Sequence, residues 1–497
     1  MGGPSRKGIT MTQQETMVDQ TYEDIKELIQ QYDIKMIDFK EIDLDGRWHH
    51  LAIPVERFTP DLMTKGIGFD GSSLGFATVE KSDMVFIPDL ASAFINPITD
   101  IPTLSMIVNT YRVNGERTRF ESDPRYIAEK AEAFLLDTGI ADTCLFGPEF
   151  EFYVLDNIEF RNTMNHIEVH LDSEQAGWNS IDSPYDPPGN NTGYKVGAHK
   201  GYHADLPYDR SYNLRNDIVR VLEDTGVPVK YHHGENGGAG QVEIEIQFAT
   251  LREVGDRTMK LKYLVKNIAL EAGKTVTFMP KPLAGEVGNG MHIHLHMFKD
   301  GQPIFFREGG YSDLSDTALY AIGGILQHAG ALTAITCPST NSFKRLVPGW
   351  EAPVSVCFAT ANRSSVIRIP GYATAPEEKR FEYRPSDATA NPYLAYSALV
   401  MAAVDGIQRK LDPVALGYGP YDKNMYTLTD EEKKVVKGLP TSLARAADAL
   451  EADHEFLLNG DVFTADIIRN HLAKIRKDAK EISLVPHPME FAKYYDL

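Results

Sequence analysis

Apolar residues recur at every second position along much of this chain, and at every third or fourth in the stretches between. The first period marks strands with one buried face, the second marks amphipathic helices. A helix is expected over 21–31. Residues 34–42 and 48–54 read as two strands joined around Asp45-Gly46, a hairpin signal. Residues 66–78 form a Gly/Ser-rich loop, and 103–113 is another β-rich run. Asp123-Pro124 opens a helix through Leu136, because proline fits the first turn, where its missing N–H costs nothing. From there strands and helices alternate, and the stretch from Val414 is mostly helical and highly charged. Residues 156–212 are polar and rich in Gly, Pro and Asn, and read as long surface loops. The pattern divides the chain into a flexible tail over 1–20, a β-rich unit over 21–120 and a larger mixed α/β unit over 121–497. MGGPSRKGIT lacks the apolar core of a signal peptide, and Met11 is a second candidate start.

Composition narrows the class. The hydrophobic fraction of 42% over 497 residues is that of a globular protein, and the length calls for more than one small core. A formal charge of −20 argues against non-specific binding to nucleic acid or to an anionic membrane. The longest apolar run, 393–404, is shorter than a membrane span. Three cysteines, Cys144, Cys337 and Cys357, are too far apart in sequence for a zinc pattern or a disulfide framework, which suits a reducing cytoplasm.

Charged residues sit on the strand-like runs in alternation, so that residues two apart share a face. Glu149 and Glu151 alternate with aromatics, and Glu243 and Glu245 alternate with aliphatics. His292, His294 and His296 form a third stripe, and Arg380, Glu382 and Arg384 a fourth. One such stripe is ordinarily the wet face of a sheet. Four in one chain suggest a site, and Glu with His suits Mg²⁺ or Mn²⁺. Arginines cluster separately, at Arg345 and at Arg363 and Arg368. Arginine forks match carboxylate and phosphate. Carboxylate-bound cations plus several arginines are the parts of phosphoryl transfer. Ala272-Gly-Lys-Thr275 is no phosphate loop, since the required earlier glycine is Ile268. Asn190-Asn-Thr192 and Asn362-Arg-Ser364 have glycosylation spacing without any sign of secretion.

Together these segments resemble type I glutamine synthetase from about residue 30 onwards. The resemblance rests on Phe69-Asp-Gly-Ser-Ser73, Gly147-Pro-Glu-Phe-Glu151, Glu235 with Gly240-Gln-Val-Glu243, and Gly290-Met-His-Ile-His294. It continues through Asn341 to Glu351, Asn362 to Pro370, and Asn391-Pro-Tyr393. It implies an α+β fold, with a small N-terminal β-grasp domain and a large catalytic domain whose curved antiparallel sheet forms a metal-lined funnel. It also implies a cytoplasmic dodecamer of two hexameric rings with active sites between subunits, a ring lock at 486–495, and possible regulatory proteins.

The implied reaction joins ammonia to L-glutamate with ATP, through γ-glutamyl phosphate. The implied cations, two or three Mg²⁺ or Mn²⁺ per site, would use Glu151, Glu235 and Glu243 in one set, and Glu149, His292 and Glu382 in the other. Arg345, Arg384 and Gly288 would hold glutamate. Arg363, Arg368, Arg380, His294 and His296 would face ATP, with Arg363 also at the reacting phosphate. Asp70, delivered by a neighbouring subunit with Ser73 beside it, would bind ammonium and take its proton. Glu351 would close the site and accept a proton from the adduct.

Several positions depart from the family pattern. Val287 replaces a usual Asn, His296 a frequent Ser, and Phe76-Ala77 a Gly-Trp pair. Glu377 stands where a Lys is common, leaving Lys379 as the lysine candidate for ATP. Tyr426 resembles a tyrosine that is adenylylated in one bacterial branch, but the prolines usual after it are missing. The competing readings are a relative that joins glutamate to a polyamine, a metal-dependent amidohydrolase suggested by His292-Ile-His294, and a catalytically silent relative. Retention of Asp70, Ser73 and Glu351 favours ammonium, and carboxylates outnumber histidines as ligands.

Overall fold

A computed structural model describes residues 21–113, 116–179, 193–348, 352–429 and 436–495. The expected tail, Asn190 to Thr192, Glu351 and the side chain of Tyr426 lie outside the described residues.

The N-terminal unit is a β-grasp. Strands Met36–Ile42 and Trp48–Pro54 pair antiparallel across the Gly46 turn. Gly46 has φ of 76°, where a side chain would be strained, and an added Cβ would stand 3.0 Å from the Asn391 Cα. Met36–Ile42 pairs in parallel with Thr103–Arg112, which in turn pairs with Asp83–Pro88. Helix Tyr22–Gln31 starts at a capping box formed by Thr21 and Asp24 and buries Ile25 against the sheet. Strand one begins at Met36 rather than at 34, because the Ile34 N–H closes the helix end on the Ile29 carbonyl at 3.0 Å. The expected loop over 66–78 is partly strand: Ile67–Asp70 pairs with Asp83–Pro88, and Gly71–Leu74 is a 3-10 turn.

The larger unit is a ten-stranded sheet curled into a half-barrel. Its order runs Val229–Gly234, Gln241–Ile246, Thr143–Leu155, Met291–Lys299, Phe381–Tyr383, Ser365–Ile369, Ser355–Thr360. Neighbours along this order are antiparallel except the last pair, Ser365–Ile369 with Ser355–Thr360, which is parallel. One face is apolar: Phe146, Phe150, Phe152, Ile244, Ile293 and Leu295 are buried in one core with Ala128, Leu264 and Leu399 of the backing helices. The other face carries the charged stripes.

The apolar run at 393–404 lies in helix Pro392–Arg409, capped by Asn391 and buried from Pro392 through Gly406. It is apolar all round because other elements enclose it. Among the described residues no single helix is long and apolar enough to cross a membrane. One pair, Asp316–Gln327 with Ala329–Thr336, reaches that length only across a 74° bend. The expected loops over 156–212 include an ordered hairpin, Asn157–Thr163 with His166–Asp172. Both of its faces are mostly exposed, so no buried stripe signals it. The three cysteines are free and buried.

Candidate active site

Strand register turns the sequence stripes into rows. Glu243 lies opposite Glu151, Glu245 opposite Glu149, and Glu149 opposite His292. Glu382 lies opposite both His294 and Arg368. The rows line a cavity of about 370 Å³. Glu149, Glu151, Glu235, Glu243, His292 and Gly288 are on its wall, together with Arg345, Arg363, Arg368 and Arg384.

Two of the groupings are close enough for a shared cation. Glu149, His292 and Glu382 bring one ligand atom each within 4.8 Å of the others, and so do His233, Glu235 and Glu243. A third such group is Glu149, Glu245 and His294. His233 thus stands beside the expected set of Glu151, Glu235 and Glu243, with its Nε2 3.4 Å from Glu243. Glu151 accepts the Gly290 N–H at 2.6 Å.

The electrostatics of these carboxylates differ sharply. Burial raises the Glu235 carboxyl, and Glu151 and Glu243 add to it, giving a value of about 8. Burial, then Glu149 and Glu151, likewise push Glu243 well above the carboxylate range. Burial also opposes ionisation of Glu149, but hydrogen bonds from His292 and His294 outweigh it and hold the group low. Burial is also the largest single influence on Glu382 and opposes its ionisation, but the charges of Arg384, His294 and Arg368 together outweigh it and hold the group at about 2. The Glu235–Glu243 end therefore holds more negative charge than it can ionise by itself. A divalent cation fits that donor set and would replace its protons.

The arginines are held differently. Arg345, on the short helix Ser342–Arg345, donates to the carbonyls of Pro385 at 2.7 Å and of Ser386 and Arg384, both at 3.2 Å. Arg368 and Arg384 both bond Glu382. Among the described residues none hydrogen-bonds the Arg363 guanidinium. A Cβ on Gly290 would approach the Arg345 Nη2 to 2.5 Å, so only glycine lets that guanidinium lie against the strand.

Some expected contacts lie off the cavity wall. His294 is fully buried and meets Glu149 at 2.9 Å. His296 is buried between Phe248 and Phe298, and burial together with the Arg380 charge lowers it to about 4. Arg380 lies over the Tyr372 ring, 5.6 Å from its centre. Lys379 is buried with its amine on the Ser312 carbonyl at 2.9 Å, so the lysine candidate for ATP is already engaged. Asp70 and Ser73 lie outside this cavity. Asp70 is exposed and accepts from Ser73 Oγ and Ser72 Oγ, both at 2.7 Å, and from the Ser72 N–H at 2.9 Å. Those bonds, the Ser73 hydroxyl first, hold it at about 2.

His233, Tyr202, Lys230, Tyr231 and Tyr372 also line the cavity, and the stripe pattern did not single them out. For Tyr231 and His233 a signal existed: they alternate on Val229–Gly234, four and two residues before Glu235.

The comparisons agree over nearly the whole chain. The family model "Glutamine synthetase, beta-Grasp domain" matches residues 33–113, and "Glutamine synthetase, catalytic domain" matches 121–494. The glutamine synthetase of Frankia alni is 44% identical over 96% of this chain and 99% of its own. That of Mycolicibacterium smegmatis is 43% identical over 97% of this chain and 100% of its own. The solved glutamine synthetase of Plasmodium falciparum superposes with a TM-score of 0.86 at 26% identity, covering 96% of this chain and 99% of that one. The chain belongs to the glutamine synthetase family.

Proposed function

We propose how this chain's residues divide the work of glutamine synthesis, the ATP-driven joining of ammonia to L-glutamate. The observation that carries the assignment is the convergence of two carboxylate-rich ligand groups and four arginines on one cavity. The relatives are glutamine synthetases, so the polyamine-ligating alternative is not favoured.

Glu151, Glu235 and Glu243 hold one cation, and Glu149, His292 and Glu382 hold the other. Oxygen donors, with one imidazole in the second set, suit Mg²⁺ or Mn²⁺. Bound cations would add to the positive charge that the arginines bring to the phosphates. Arg363 and Arg368 offset charge at the γ-phosphate, while Arg380 and His296 mark the nucleotide end beside Tyr372. His294 orients Glu149. Arg345, Arg384 and the Gly288 backbone hold glutamate. Its γ-carboxylate attacks the terminal phosphorus, ADP leaves, and γ-glutamyl phosphate forms. Ammonia then displaces phosphate. Three hydrogen bonds make Asp70 a strong fixed anion, suited to binding ammonium beside Ser73. To take the proton, Asp70 would have to give up some of those bonds. Glu351 closes the site and accepts the second proton.

Asp70 reaches this cavity from a neighbouring copy in a dodecamer of two hexameric rings. The working division is 1–20 tail, 21–120 β-grasp and 121–497 catalytic domain. Three free, buried cysteines suit the cytoplasm.

Phosphate release from ATP tests the reading. Release should require glutamate and rise sharply when ammonium is added. Release that ignores both additions would overturn it.

A further inference from the structure

Among the described residues, Arg363 differs from the other cavity arginines in having no side-chain tether. Arg345, Arg368 and Arg384 are each fixed by carbonyls or by Glu382. The direction of Arg363 is therefore set by its backbone, the turn 361–364 between the parallel strands Ser355–Thr360 and Ser365–Ile369. Ala361 in that turn has φ of 55°, in the left-handed region, which an L-residue keeps only where its surroundings impose it.

Those surroundings are the loop 421–425, exposed at Asp422, Lys423 and Asn424. The Asn362 carboxamide donates to the carbonyl of Tyr421 at 2.9 Å and of Lys423 at 2.7 Å. Its Oδ1 accepts from the Ser364 N–H at 3.1 Å and from Ser364 Oγ at 2.6 Å. Ser364 Oγ also accepts the Met425 N–H at 3.0 Å. The loop is itself pinned to the strand that leads into the turn. Tyr311 donates to Asp422 at 2.6 Å and accepts from the Thr360 N–H at 3.0 Å. From the inside, Arg384 Nε donates to the Arg363 carbonyl at 3.2 Å.

We propose that Asn362 is a positioning residue: it clamps the 421–425 loop to the turn and so aims the untethered Arg363 at the reacting phosphate. Asn362 itself does not line the cavity, so it acts through its neighbour. This rests on the role given above to Arg363.

The test is a double-mutant cycle in the full-length enzyme, assayed for glutamine formation with saturating glutamate, ammonium and Mg²⁺. Asn362→Asp keeps the acceptor and loses both donors, while Asn362→Ala loses the clamp. Each should lower kcat roughly ten-fold, the effect of about 1.4 kcal/mol on the barrier, with KM for glutamate unchanged. In an Arg363→Ala background the same changes should cost less than about two-fold, because coupled residues are non-additive. A merely structural Asn362 would instead lower the melting temperature and add its loss to that of Arg363→Ala. Ser364→Ala, a milder break of the same clamp, covers the case in which the Asn362 variants do not fold. It should lower kcat several-fold and show the same non-additivity. Additive losses, or unchanged kcat in Asn362→Asp or in Ser364→Ala, overturn the proposal while leaving the Arg363 assignment intact. If Arg363→Ala keeps full kcat, both fall.

Discussion

A carboxylate that cannot ionise alone is a prediction about pH. Glu235 has a folded value of about 8 against an ordinary 4.5, from burial and from Glu151 and Glu243. Between those values the folded chain holds a proton that the unfolded chain has released. Stability of the cation-free protein should therefore fall as pH rises from about 5 to 8. With EDTA present, the melting temperature should drop by roughly 2–3 °C between pH 6 and 8.5, and saturating Mg²⁺ should largely abolish the drop. A melting temperature that climbs over that range, or one indifferent to Mg²⁺, would contradict the shared-cation reading of this cluster. Single residues were also where the sequence was most and least readable. Glu149, Glu151, Glu243 and His292 stand out because their neighbours are apolar, and alternation exposes them. Tyr202 and Tyr372 reach the same cavity from irregular segments, where no period points to them. Lys379 carried the right charge at a plausible spacing, yet spacing could not show that its amine would be spent on Ser312.

At the scale of elements, alternation along a strand tells which face a residue takes, and only pairing tells which residues meet. Phe381–Tyr383 is three residues long, and it matters because it bridges Met291–Lys299 and Ser365–Ile369. That register sets Arg368 against Glu382, a contact no spacing rule could supply, while Arg384 is the same-face neighbour two residues on that alternation already gave. Glu382→Gln should leave two largely buried guanidiniums uncompensated, costing about 3 kcal/mol. Calorimetry of the intact protein should show a lower melting temperature, since a two-state free energy is not defined for so large a chain. Replacing Arg368 by Gln in the same variant should recover part of the loss; no recovery would mean that packing, not charge, holds the strand. The hairpin Asn157–Thr163 with His166–Asp172 was illegible for the opposite reason. A ribbon with two exposed faces has no buried stripe, so polar composition alone read as loop.

Across the whole molecule, the charge of −20 is only slightly a property of the site. The proposed residues set seven carboxylates against five arginines, a small excess that bound cations would reverse, so most of the acidity lies elsewhere. The two units meet through specific contacts. Asn391, which caps helix Pro392–Arg409, donates to the Asp43 carbonyl at 3.0 Å, and Asn96 donates to the Tyr263 hydroxyl at 3.0 Å. Lys40, paired with Asp38 at 2.8 Å, lies over the Tyr263 ring. The N-terminal unit is thus fastened to its own catalytic unit while Asp70 stays outside the cavity described above, on the exposed end of Ile67–Asp70. If that carboxylate serves a neighbour's cavity, two inactive chains can repair each other. Asp70→Ala and Arg363→Ala homo-oligomers should each lose most glutamine synthesis. Unfolded together and refolded as mixed rings, they should regain activity at roughly a quarter of the sites, the share that random pairing in a closed ring leaves intact. Mixing without dissociation should restore nothing. Mixed rings verified by mass that stay inactive would place Asp70 and Arg363 in the same chain's site, or outside any site, and would remove the intersubunit assignment.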